Sequence, residues 1–183
     1  MTSKTILQNF FILGKFLTYP TKELPDEILI LLKNMEENKY KKNYMELYEI
    51  LKKEIRNEEL EAEYTSLFIT GYPKTPCPPY YSVYKTGLMV SKHTEDLYNI
   101  YEKYGIELSN EQFPDFIPTM IEFLTLLLSN NMEEEAKKFH NEYLSWLTEF
   151  ADNIKRNTKS LYFIKTATNL KNFISEVNEL WKK

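Results

Sequence analysis

A single cysteine, Cys77, excludes an internal disulfide and any zinc cluster built from thiolates. Only two histidines occur, His93 and His140, and neither stands in a metal-binding spacing, so no metal site is expected and each reads as an exposed helical residue. Arginine is just as scarce, at Arg56 and Arg156, and the net charge of −4 comes without any basic stripe. A chain that wraps nucleic acid needs such a stripe to displace counterions, so nucleic acid is not an expected partner. Glycine-rich phosphate loops and a GxSxG nucleophile elbow are missing, as are carboxylates paired for acid–base work. Flanked by prolines and without a neighbouring histidine to activate it, Cys77 reads as a small packed loop residue rather than a nucleophile. The sequence therefore argues against an enzyme, and no cofactor is called for. The most apolar stretch, Phe116 to Leu128, is broken by Pro118 and Glu122 and is shorter than the roughly 20 residues of a membrane span, so no integral membrane segment is expected. Residues 1–9 lack the apolar run of a secretion signal, which makes a cytoplasmic location the expectation.

What is present is a helical pattern. Hydrophobic residues make up 43% of 183 positions, enough for one core, and the four glycines and eight prolines fall mostly between apolar-periodic segments. Ile6, Phe10, Leu13 and Leu17 recur at helical spacing behind an N-cap at Thr2 or Ser3, and Tyr19-Pro20 ends that helix. Further helices are predicted over about 26–37, 43–55, 58–68, 83–104 with a possible break at Gly87, 116–128, 132–153 and 159–181. Gly105 is placed as a helix stop, and Asp115 as the N-cap of the apolar helix, with Pro118 in its first turn.

Two connections stand apart. Residues 70–81 read Thr-Gly-Tyr-Pro-Lys-Thr-Pro-Cys-Pro-Pro-Tyr-Tyr, where four prolines and a glycine forbid regular helix. Residues 108–113 lead into Pro114-Asp115. Loops that carry large amphipathic rings either pack them on the body or offer them to a partner.

At these connections the sequence resembles the TorD/DmsD/NarJ family of redox enzyme maturation chaperones. Glu63-Tyr64-Thr65-Ser66-Leu67-Phe68 is similar to that family's aromatic-x-x-Leu-Phe helix end. Pro78-Pro79-Tyr80-Tyr81-Ser82-Val83-Tyr84 resembles its Pro-Pro-Tyr-Glu-Ser-Val-Tyr run, and Pro114-Asp115 with Glu122-Phe123 resembles its Pro-Asp-His element and following Glu-Phe pair. Tyr81 stands where the family usually has glutamate, while Phe116 and Glu142 stand where it usually has histidine.

The resemblance implies an all-α, single-domain helical bundle of the TorD-like type over residues 1–183, with a hinge connection near 105–114. That connection allows either a monomer or a domain-swapped dimer. It implies a chaperone that holds the twin-arginine signal peptide or N-terminus of an apo molybdoenzyme catalytic subunit until its cofactor is loaded. The alternative is a permanent structural or regulatory subunit of a redox enzyme complex. A basic and apolar signal would need an apolar groove with acidic groups at one end. Tyr80, Tyr81, Tyr84, Phe113 and Phe116 are the expected groove residues, with Asp115 and Glu122 facing the arginines.

Overall fold

A computed structural model describes residues 1–56, 58–71, 74–109 and 112–182. Tyr72 of the proline-rich loop and residues 110–111 of the expected hinge lie outside the described residues.

The described chain is helical, without a strand, in the order α1 (Ser3–Phe16), α2 (Leu24–Asn34), α3 (Lys41–Glu54), α4 (Glu59–Tyr64), α5 (Tyr81–Thr86), α6 (Lys92–Lys103), α7 (Ile117–Ser129), α8 (Glu133–Phe139), α9 (Leu147–Asn157) and α10 (Leu161–Trp181). Thr2 caps α1 by accepting the N–H of Thr5 at 3.1 Å. In α2, Pro25 sits in the first turn, where its missing N–H costs little. Gly105, at φ 73°, stops α6 as the sequence predicts.

The long C-terminal helix α10 packs along α9, α3 and α1, while α1 lies along α7. Tyr162, Phe163, Leu170, Phe173, Ile174 and Val177 bury completely, which places α10 at the centre of the bundle. Gly14 faces Ile121 of α7, where an added Cβ would make an ordinary contact at 3.4 Å.

Several predicted elements change at their ends or in their continuity. The helix predicted over 83–104 is two helices, α5 and α6, separated where Gly87 adopts φ 75°. The one predicted over 132–153 is α8, a wider π turn over His140–Leu144, and then α9. A matching π turn, Thr65–Ile69, follows α4 and closes with Thr70 N–H donating to Thr65 O at 2.8 Å. His140 is not the exposed residue read from sequence. It is wholly buried, edge-on to Phe10 and Trp181, with Nε2 2.7 Å from Asn178 Oδ1. Burial pulls its pKa down to about 4, against a smaller opposing effect of the Asn178 bond.

Candidate functional site

The two unusual connections meet. Tyr80 and Phe116 form an antiparallel bridge, in which Tyr81 N–H donates to Asp115 O at 3.0 Å and Ile117 N–H to Pro79 O at 3.0 Å. The second bond satisfies the first N–H of α7, one of the donors that a helix start leaves open. Asp115 is therefore not the N-cap expected of it: Phe116 holds that position, without a side-chain cap bond. The Asp115 carboxylate turns back instead and accepts the N–H of Ser82 at 3.0 Å and the Ser82 hydroxyl. Tyr101 adds a further tie by donating from its hydroxyl to Pro114 O at 2.7 Å. Asp115 is fully buried, and its Oδ1 has no hydrogen-bond partner among the described residues.

An extended segment sends successive side chains to opposite faces, and the bridge does this to the two tyrosines. Tyr80 points one way, packing on Phe113 at 5.5 Å and Phe116 at 5.4 Å between ring centroids. Phe113 is 40% exposed, while Tyr80 and Phe116 are half-buried. Burial and then the Asp115 charge hold the Tyr80 phenol above its ordinary pKa. Tyr81 points into the body against His93, Tyr143 and Trp146, and its hydroxyl donates to Glu142 O at 3.1 Å. Tyr84, half-buried, lies over Trp146 at 4.5 Å and is held through its hydroxyl by Asn153 Nδ2 at 3.1 Å. The seven predicted site residues thus separate into an aromatic face (Tyr80, Phe113, Phe116), an inward pair (Tyr81, Tyr84), a buried tie (Asp115) and the exposed Glu122.

Glu122 lies on α7 at the edge of a cleft of about 250 Å³. Tyr101, Ile106, Leu108, Phe123 and Leu126 supply apolar lining, with Glu107 as a second acidic group. Gln112 and Thr119 also line this cleft, and they adjoin Phe113 and approach Phe116 along the chain. Sequence reasoning missed Glu107, Ile106 and Leu108. The signal available was the apolar–acidic–apolar run directly after Gly105, but its proximity to α7 is a tertiary fact.

Cys77 is buried, with its N–H donating to Leu67 O at 2.9 Å, and burial pushes its thiol up to about 12 despite the counteracting Arg156 charge. It is the packed loop residue expected of it. Among the described residues, no three His, Cys, Asp or Glu side chains are grouped to hold a metal ion, and no helix is long and apolar enough to cross a membrane.

No curated protein matches the chain. Among solved structures, the crystal structure of a candidate redox enzyme maturation protein from Archaeoglobus fulgidus superposes with a TM-score of 0.72 at 26% identity, covering 96% of this chain and 95% of that one. The family model described as nitrate reductase delta subunit matches residues 23–156, which include the proline-rich loop, the bridge and α7. With that model spanning most of its length, the chain belongs to the nitrate reductase delta subunit family.

Proposed function

We propose that this protein is a cytoplasmic chaperone that binds the signal peptide or N-terminus of an apo molybdoenzyme and assists its maturation. Family membership and the likeness to the Archaeoglobus protein support a role in redox enzyme maturation. The observation that carries the finer reading is the partly exposed aromatic face of Tyr80, Phe113 and Phe116 beside a cleft edged by Glu107 and Glu122. A twin-arginine signal is basic at one end and apolar and helix-prone beyond it, and this surface offers the complementary pair in one place. Tyr81 and Asp115 serve it from beneath, by fixing the bridge that sets the direction of Tyr80 and Phe116.

Magnitudes set the expected affinity. Three apolar anchors at roughly 1.5–3 kcal/mol each would give about 5–9 kcal/mol. Association itself costs an estimated 4–15 kcal/mol, so charge and backbone contacts must contribute. Exposed carboxylates such as Glu122 give only about 0–1 kcal/mol per pair. The outcome is an affinity near micromolar, about −8 kcal/mol.

The test is a fluorescence anisotropy titration with a synthetic twin-arginine signal peptide from a molybdoenzyme of the same organism. Micromolar binding is expected, weakened about tenfold by Phe113→Ala, the equivalent of about 1.4 kcal/mol. Glu122→Gln should instead lower the salt dependence with a smaller loss. Absence of binding, or binding indifferent to Phe113→Ala, would sink the peptide-face reading. The family description as a delta subunit favours one other reading, a permanent subunit of a redox enzyme complex. A pull-down separates the two: a cofactor-free or unprocessed client marks the chaperone, and only a mature stoichiometric complex marks the subunit.

A further inference from the structure

We propose that the turn joining α5 to α6 is a docking tip for an anionic membrane surface. Leu88, Met89 and Val90 stand in succession on this turn at 62%, 41% and 71% exposure. Isolated apolar residues on a surface need no account, but three in a row on one turn do. The sequence around them carries charge of one sign. The chain carries 27 acidic residues, yet none lies between Glu63 and Glu95, while Lys74, Lys85 and Lys92 fall inside that interval. All three lysines are exposed, and none forms an ion pair among the described residues. Lys85 and Lys92 flank the tip directly in sequence.

Part of the turn's backbone is satisfied locally, which lowers the cost of bringing it to a medium poor in water. Leu88 N–H donates to Thr86 Oγ1 at 3.2 Å, Ser91 N–H donates to Thr94 Oγ1 at 3.1 Å, and Ser82 Oγ lies 3.1 Å from Met89 O. Gly87 in the left-handed region closes α5, and the reciprocal Ser91–Thr94 cap opens α6, so the tip is held rigidly between two helix ends.

An apolar tip with Lys85 and Lys92 beside it in sequence, and with carboxylates returning only at Glu95 and Asp96, fits a flat, deformable, negatively charged surface. Apolar insertion and electrostatic attraction add there, each lysine contributing to attraction only within a Debye length of the lipid. The tip and the aromatic face are built from different residues, joined through Ser82, so a peptide on one leaves the side chains of the other unused.

The experiment is co-sedimentation of the full chain with phosphatidylcholine vesicles and with vesicles containing roughly a third phosphatidylglycerol. Binding to the anionic vesicles only is expected, and raising salt from about 0.1 M to about 0.5 M should largely release the protein. The double substitutions L88S/V90S and K85E/K92E should each weaken vesicle binding about tenfold, with helical circular dichroism unchanged because all four side chains are exposed. Equal binding to both vesicle types, no binding to either, or binding unchanged in both variants would overturn the proposal. Loss of client peptide binding in L88S/V90S without any vesicle binding by the parent would assign the tip to a protein partner and overturn it too.

Discussion

Asp115 takes its importance from what it prevents as much as from what it binds. Its carboxylate is buried, and it accepts both the backbone N–H and the hydroxyl of Ser82. Truncation would leave a buried N–H without an acceptor, which costs roughly 1–3 kcal/mol beyond the modest worth of the bond itself. Asp115→Ala is therefore expected to lower unfolding free energy by about 2–3 kcal/mol in urea titrations, more than an exposed Asp→Ala change. His140 makes a second residue-scale expectation. Its ordinary pKa is 6.5 and burial holds it near 4 in the folded protein, so between those values the unfolded chain binds a proton that the folded chain refuses. This contribution leaves stability intact above pH 6.5 and removes it as pH falls to about 4, by roughly 3 kcal/mol in total. His140→Gln should flatten that part of the stability profile relative to the parent. Equal slopes in parent and variant would refute the assignment. The importance of Asp115 was visible in the sequence as part of a motif, but its partner was not. Ser82 lies 33 positions away, and no local spacing encodes a side chain turning back across a bridge.

Elements were the most legible level, because a 3.6-residue apolar period survives any tertiary context that buries one face of a helix. Thr2 as a cap and Gly105 as a stop were readable for the same local reason. The π turns were not readable, since a single wider turn leaves the apolar pattern almost unchanged. Gly87 sits between these cases: a break was conceivable from its identity, and it became definite only with its φ of 75°. Nothing lies within 4 Å of a Cβ built at Gly87, so a substitution there would report backbone strain alone. Left-handed geometry costs an L-residue roughly 1–2 kcal/mol, and Gly87→Ala is expected to destabilise by about 1 kcal/mol in the same urea titrations. A neutral result would mean that the α5–α6 junction relaxes into another turn. The aromatic face was only half legible for a related reason. Neighbouring Tyr80 and Tyr81 were read as sharing one groove, whereas the extended bridge sends them to opposite sides.

At the scale of the molecule, the bundle separates two surfaces that the chain builds from adjacent residues. The aromatic face grows from the bridge at Tyr80 and Phe116, and the apolar tip grows from the turn that follows α5. Ser82 links them, with Asp115 on one side and the Met89 carbonyl on the other. The bridge has one more consequence, for how the length of this chain can vary. Two backbone bonds, from Tyr81 to Asp115 and from Ile117 to Pro79, tie together the two ends of a chain segment whose Leu97 and Tyr101 pack in the core. With both ends of that segment anchored, the closure cost of a loop within it grows slowly with length, by about 0.6 kcal/mol per doubling. A single added residue inside 79–82 or 115–117 should accordingly break the pairing and displace Tyr80 or Phe116, whereas length changes elsewhere in the segment leave the two tie points in place.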